Sequence, residues 1–198
     1  MSAPAETPPM TAEAYLGLER ASPTRHEFVR GAIFAMSGAT KLHNDVVANV
    51  AAVLKAHLRG RPCRTYLLDV KLHVEAADAY FYADVFVTCD PRDRDDPLIA
   101  HYPSLIVEVL SDSTAAYDRG EKFDDYRRLP ELREYALVDS RQRHVVVYRS
   151  TARSTWEFDP VGADGLVRLT SVGLTVPMSA FYEDTDVPAT RPRSEAAT

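Results

Sequence analysis

Two apolar segments of this chain each carry one carboxylate, and this combination constrains the fold more than any other feature. Asp84 lies within residues 80–89 (YFYADVFVTC), and Glu108 lies within residues 103–111 (PSLIVEVLS). Both segments are apolar on both faces, which is typical of the central strands of a sheet. An ionised carboxylate is costly to bury in such a strand unless it is paired or binds a metal ion. The pair therefore predicts two strands that meet around a divalent cation.

The composition is that of an ordinary globular protein, with 45% hydrophobic and 26% charged residues among 198. The net charge of −6 argues against a general nucleic-acid binder. It is compatible with a metal-dependent nuclease, whose metal ligands are themselves acidic. No apolar run approaches the roughly 20 residues that span a membrane, and the first ten residues lack a signal-peptide pattern. Because Cys63 and Cys89 form no metal or redox motif, we expect reduced thiols and a cytoplasmic protein.

The order of the elements predicts an α/β fold with a mixed central β-sheet flanked by helices. Residues 1–10 and 187–198 are predicted to be disordered tails around a single domain at 11–186. Hydrophobic periodicity predicts helices at residues 11–20, 43–59 and 112–129. The segments with strand character are a hairpin at 25–36, strands at 64–75, 80–89, 105–110, 134–139 and 144–149, and a last hairpin formed by 156–158 and 166–169.

Oxygen ligands without a histidine cluster favour Mg²⁺ or Mn²⁺ over Zn²⁺ at the predicted site. The backbone carbonyl of Val109 can add one more oxygen to those of Asp84 and Glu108. Each acid also has a simpler explanation. Asp84 can be a strand-end residue that accepts backbone N–H groups, and Glu108 can form a buried salt bridge with an arginine such as Arg127.

Lys122, on the predicted helix at 112–129, is the candidate cation of the site. Its ammonium can position an attacking water or help to deprotonate it, whereas the spacing alone favours an exposed lysine paired with Asp118 at i−4. Ser113, near the helix start, is expected to act as a cap or to contact a phosphate.

Two weaker candidates lie earlier in the chain. Glu27, on the first hairpin, can supply a carboxylate to a second metal ion, and His43, at the start of a helix, can contact a phosphate. A solvent-facing position is the commoner explanation for both residue types at such places.

Three stretches of the sequence together resemble a known bacterial family, that of the putative restriction endonucleases within the PD-(D/E)XK nuclease superfamily. They are HEFVRGAIFAMSGATKLHNDVV, YFYADVFVTCD and PSLIVEVLSDSTAAYDRGEKFDDYRRLPELREYALVDS, and the resemblance covers roughly residues 15–149. It implies a restriction-endonuclease-like core, with Asp84 and Glu108 as metal ligands, Glu27 as an auxiliary acid, and a homodimer.

The chain departs from the superfamily pattern at two positions. Ala83 replaces the proline before the first acid, which removes no ligand. Leu110 stands where the basic motif has a lysine, and the resemblance implies that Lys122 takes over that role.

The first functional hypothesis is a Mg²⁺- or Mn²⁺-dependent endodeoxyribonuclease that acts on DNA. The alternative is a non-catalytic DNA-binding or protein-interaction domain that retains a nuclease fold, because fold alone does not determine function. A hydrolase of another phosphoester or of a nucleotide would use the same site.

Overall fold

The computed structural model describes residues 9–36, 38–152 and 155–190. Its helices are α1 (Ala12–Ala21), α2 (Lys41–His57), α3 (Ala115–Arg119) and α4 (Glu121–Tyr126). Its strands are β1 (His26–Val29), β2 (Ala32–Ala35), β3 (Arg64–Leu67), β4 (Lys71–Val74), β5 (Ala79–Phe81), β6 (Val85–Thr88), β7 (Ile99–Ala100), β8 (Pro103–Leu110), β9 (Glu134–Asp139), β10 (Val145–Ser150), β11 (Trp156–Val161), β12 (Leu166–Leu169) and β13 (Leu174–Pro177).

A six-stranded mixed sheet, in the order β11-β10-β9-β8-β6-β3, forms the centre of the fold. Its middle strand β8 runs parallel to β9 and antiparallel to β6. Successive side chains of β8 point to opposite faces. Val107 and Val109 therefore belong to the core beneath α2, and Ile106 and Leu110 belong to the core that contains Tyr126 of α4. Glu108, between the two valines, is directed to the face covered by α4.

A second sheet, in the order β2-β1-β5-β4-β7, places the first hairpin beside the central sheet. The hairpin turns at Arg30 and Gly31, which both have positive φ values. Helix α1 begins after Thr11, whose side chain accepts a hydrogen bond from the N–H of Ala14. It packs on this sheet through Tyr15, which is fully buried. The predicted hairpin at 25–36 and the helices at 11–20 and 43–59 are thus confirmed, with ends shifted by one or two residues.

Two segments that we predicted as single strands are broken in the structure. Residues 64–75 form β3 and β4, which lie in different sheets, and Leu68 turns the chain between them with a φ of 41°. Residues 80–89 form β5 and β6, and Asp84 lies in the break rather than inside a strand. The apolar pattern continues across both breaks because each half is buried in its own sheet, so the pattern gives no sign of them.

The predicted helix at 112–129 is also wrong in its extent. It consists of α3 and α4, separated by Gly120, whose φ of −113° and ψ of −102° are not helical. Glycine has the backbone freedom that such a break requires. The last predicted hairpin is wrong in its pairing, because β11 pairs with β10 and β12 pairs with β13.

The two cysteines are joined in a disulfide, so the expectation of reduced thiols is wrong. The antiparallel register that pairs Arg64 with Thr88 brings Cys63 next to Cys89, a proximity that their separation along the chain does not indicate. The argument for a cytoplasmic protein from reduced cysteines is thereby lost. Among the described residues, no helix has the length and apolar character needed to cross a membrane.

The ordered contacts extend slightly beyond the predicted domain limits. Met10 donates its N–H to the carbonyl of Gly31, and Val187 is buried in the core. Residues 1–8 and 191–198, which make up most of the two predicted tails, lie outside the described residues.

We predict that Gly31→Ala lowers the free energy of unfolding by about 1–3 kcal/mol. Gly31 has a φ of +87°, and an added Cβ would lie 2.5 Å from the Cβ of Pro9. Gly17→Ala is the matched control, because no atom lies within 4 Å of its added Cβ and alanine favours the helix. Urea denaturation of both variants measures the difference. Equal losses in the two would contradict the proposed strain.

Candidate active site

The register between β6 and β8 brings the two predicted acids together. Val85 pairs with Val107 in antiparallel orientation, so Asp84 and Glu108, the next residues outward, lie opposite each other. The Asp84 N–H donates to Glu108 Oε2 at 3.1 Å, and the Val109 N–H donates to Asp84 Oδ2 at 2.7 Å. Both side chains line one pocket of about 430 Å³. The carboxylates therefore share one face and one cavity.

Lys122 points into this pocket and not toward solvent. Its Nζ lies 3.0 Å from Glu108 Oε1 and 3.0 Å from Glu27 Oε1. Asp118, the i−4 partner expected for a surface lysine, is 4.0 Å away and is itself buried. Arg127, the alternative partner for Glu108, instead contacts Asp124. The structure thus brings Glu27, Glu108 and Lys122 into direct contact.

Several contacts hold the lysine-bearing helix against the acids. The hydroxyl of Tyr126, one turn after Lys122, donates to Glu108 Oε1 at 2.9 Å. Arg30, at the turn of the first hairpin, contacts both oxygens of the buried Asp125, at 2.9 and 3.1 Å. This last ion pair joins the hairpin that carries Glu27 to the helix that carries Lys122.

The pocket contains more negative than positive charge. The side chains of Glu27, Asp84, Glu108 and Asp118 all line it, against the single ammonium of Lys122. Burial raises the pKa of Glu108; the Lys122 ammonium opposes this shift and the Asp84 carboxylate adds to it. Burial likewise raises the pKa of Asp118. Burial alone would lower the pKa of Lys122, but the carboxylates of Glu108 and Glu27 raise it well above its usual range, so the ammonium remains charged.

The remaining predicted residues also line the pocket. His43, in the first turn of α2, places Nε2 3.3 Å from Asp84 Oδ1, and this carboxylate outweighs burial and raises the pKa of the imidazole. Its Nδ1 is buried without a hydrogen-bond partner among the described residues. Ser113 does not cap α3, because the N-cap is Thr114; its hydroxyl instead lies 3.0 Å from that of Ser111. Whether His43 or Ser113 contacts a phosphate stays a prediction.

Sequence reasoning missed three contributors to the site. The sequence analysis predicted neither the hydrogen bond of Tyr126 to Glu108 nor the Arg30–Asp125 pair. The i, i+4 spacing of Lys122 and Tyr126 was a usable signal, because it places both side chains on one helix face. The contact between residues 30 and 125 depends on tertiary packing and has no local signal.

The fold is that of a nuclease-like α/β protein. A solved structure described as "a putative nuclease belonging to DUF820" from Anabaena variabilis superposes with a TM-score of 0.71. The superposition covers 87% of this chain and 97% of the other at 18% identity, so this likeness shows the fold alone.

The sequence places the chain within a particular family. The model of the Uma2 family, described as "Putative restriction endonuclease", matches residues 12–179, and the chain belongs to this family. Two uncharacterised proteins of Synechocystis sp. are similar along most of their length. The protein slr1290 is 36% identical over 175 residues, covering 88% of this chain and 92% of the relative. The protein sll1609 is 34% identical over 154 residues, covering 77% and 87%. The predicted membership of the putative restriction endonuclease family is therefore confirmed.

We predict that Lys122→Met lowers the free energy of unfolding by about 3 kcal/mol or more, because it leaves buried carboxylates without their cation. A carboxyl group whose pKa is raised by folding costs stability once the pH exceeds its unfolded value. The loss should therefore be larger near pH 8 than near pH 5. Lys41→Met, at the exposed start of α2, is the control and should change stability by less than about 0.5 kcal/mol. Denaturation in EDTA at both pH values tests this, and a loss independent of pH would contradict it.

Proposed function

We propose that the protein is a divalent-metal-dependent endonuclease that hydrolyses phosphodiester bonds in DNA. The observation that carries the proposal is the convergence of Asp84, Glu108 and Lys122 in one acidic pocket. Family membership and the nuclease-like fold support the same reaction class.

The side chains of the pocket fit Mg²⁺ or Mn²⁺. Asp84 and Glu108 offer hard oxygen donors, and the adjacent backbone carbonyl of Val109 is a further candidate. No group of three or more His, Cys, Asp and Glu side chains forms a ready-made metal cage within the part of the chain that the structure describes. Mg²⁺ commonly uses one or two carboxylates and retains several waters, so two acids suffice. The excess of carboxylates over ammonium groups also favours cation binding.

A bound divalent cation supplies charge stabilisation for a pentavalent phosphorus and lowers the pKa of a coordinated water. In hydrolysis, the oxygen of a water molecule adds to phosphorus, one phosphorus–oxygen ester bond breaks, and one proton of the water ends on the departing ester oxygen. Lys122 remains protonated because of its two carboxylate neighbours, so its role is to orient the water and to stabilise the developing negative charge. Glu27 also contacts this ammonium at 3.0 Å, and its proposed role is that of an auxiliary acid that holds Lys122 in place.

Other parts of the proposal concern the substrate and the assembly. His43 and Ser113 line the pocket and are candidate phosphate contacts. The family resemblance implies a homodimer, and this assembly is part of the proposal. Sedimentation analysis of the purified protein measures the oligomeric state.

We predict that the protein nicks or linearises plasmid DNA in Mg²⁺ or Mn²⁺ and that EDTA abolishes this activity. Asp84→Asn and Glu108→Gln should each lower the cleavage rate by at least about 100-fold, because each removes a charged metal ligand. Asp124→Asn, an exposed acid on α4, is the control and should cleave at the wild-type rate. Wild-type rates in both site variants would show that the active site lies elsewhere. An intact wild type that binds DNA without cleaving it would favour the non-catalytic alternative.

We predict that Lys122→Ala slows single-turnover cleavage far more than it weakens DNA binding. The physical reason is that the ammonium stabilises charge that develops mainly in the transition state. Lys122→Arg should not restore the full rate, because a planar guanidinium does not replace a compact ammonium. Cleavage and binding titrations on the same variants separate the two effects. A parallel loss of rate and affinity would reduce Lys122 to a phosphate contact.

A further inference from the structure

An exposed aromatic side chain stands at the mouth of the acidic pocket. Phe34 lies on the edge strand β2, is 55% exposed, and lines the pocket. It pairs directly with Glu27 across the hairpin, so the two side chains stand on the same face of the sheet. Side chains of directly opposite residues lie about 5 Å apart at their Cβ atoms. The Cβ of Phe34 therefore lies beside that of Glu27, whose carboxylate contacts Lys122.

A second apolar side chain flanks the pocket from the side of Asp84. Leu68 is 36% exposed, lines the pocket, and donates its N–H to the carbonyl of Asp84 at 3.4 Å. Its φ of 41° is unusual for a bulky residue and carries a conformational cost. Glycine or asparagine would adopt this backbone more easily. A strained leucine whose side chain is turned toward a pocket indicates that the side chain itself has a use there.

The charges around the pocket do not suit a long contact with duplex DNA. Among the described residues that line it, Lys122 and His43 are the only basic ones, and four carboxylates accompany them. Proteins that grip a duplex neutralise several phosphates with lysine and arginine, whereas unpaired bases are bound largely by stacking on aromatic rings. The pocket of about 430 Å³ lies in the size range of sites that take one small ligand. Its floor, with Glu108 and Lys122, is almost completely buried.

From these observations we infer that the site accepts an unpaired nucleotide of a DNA strand, with Phe34 stacked on its base and Leu68 packed against its other side. The scissile phosphate then reaches the floor of the pocket, where Glu108 and Lys122 lie. This inference rests on the proposed nuclease function and adds the class of substrate. It makes Phe34 a positioning and specificity residue rather than a catalytic one.

Binding measurements in EDTA test the inference without cleavage. A labelled oligonucleotide is offered as a single strand, as a perfect duplex, and as a duplex with one unpaired nucleotide. The wild type should bind the single strand and the duplex with one unpaired nucleotide more tightly than the perfect duplex. Phe34→Ala should weaken binding of the single strand roughly 5- to 100-fold, the factor expected for one lost stacking contact, and Phe34→Trp should restore it. Leu68→Gly should also weaken binding of the single strand. It should leave the thermal stability unchanged or raised, because glycine adopts a φ of 41° without strain.

Phe158→Ala is the matched control, because Phe158 is 61% exposed on β11, an edge strand of the six-stranded sheet, and is not among the residues that line the pocket. It should bind all three substrates as the wild type does. Equal affinity of the wild type for strand and duplex, or equal effects of Phe34→Ala and Phe158→Ala, would overturn the inference.

Cleavage of the same three substrates in Mn²⁺ separates this inference from the proposed function. We expect the single strand and the unpaired site to be cut at least about tenfold faster than the duplex. A duplex cut as fast as the single strand would overturn the substrate class but leave the nuclease intact. Absence of cleavage on every substrate would overturn the nuclease, and the binding comparison would still decide whether the pocket selects unpaired nucleotides.

Discussion

The ammonium of Lys122 compensates buried negative charge that the fold could not otherwise retain. It lies 3.0 Å from a carboxylate oxygen of Glu108 in the central sheet and 3.0 Å from one of Glu27 in the neighbouring sheet. Removing one partner of a buried ion pair costs several kcal/mol because the other charges stay desolvated. The two sheets and α4 therefore meet at this cation, and the same contacts define the candidate active site.

Irregularities of the backbone place the groups around this cation. The break at Asp84 frees its N–H to bond with Glu108 and its carboxylate to accept the N–H of Val109. The break at Gly120 separates α4 from α3, so α4 starts anew immediately before Lys122. Natural sequences tend to depart from regular structure at functional sites, where geometry matters more than local stability. In this protein the breaks at Asp84 and Gly120 both lie within two residues of a group that lines the acidic pocket.

The sequence predicted which side chains meet in one pocket better than it predicted the elements that carry them. A carboxylate between two valines in β8 has so few explanations that Glu108 was identified from its strand alone, and family resemblance pointed to Lys122 on the helix that follows. The breaks at Leu68 and Asp84 were missed because apolar alternation continues where the chain passes from one buried sheet to another. The disulfide and the ion pair of Arg30 with Asp125 join distant parts of the chain, and only the assembled sheets bring them together. The burial of Lys122 likewise depends on tertiary packing, because the i−4 spacing to Asp118 alone favoured an exposed lysine.

The central claim is that the acidic pocket is a divalent-metal site built by Asp84 and Glu108. The most direct test is a crystal structure of the protein soaked in Mn²⁺, with the metal located by its anomalous scattering. The account predicts one strong peak in the pocket, bonded to the carboxylates of both acids, and the absence of that peak in Asp84→Asn. A peak elsewhere on the molecule, or an empty pocket in which Lys122 alone compensates the acids, would contradict it.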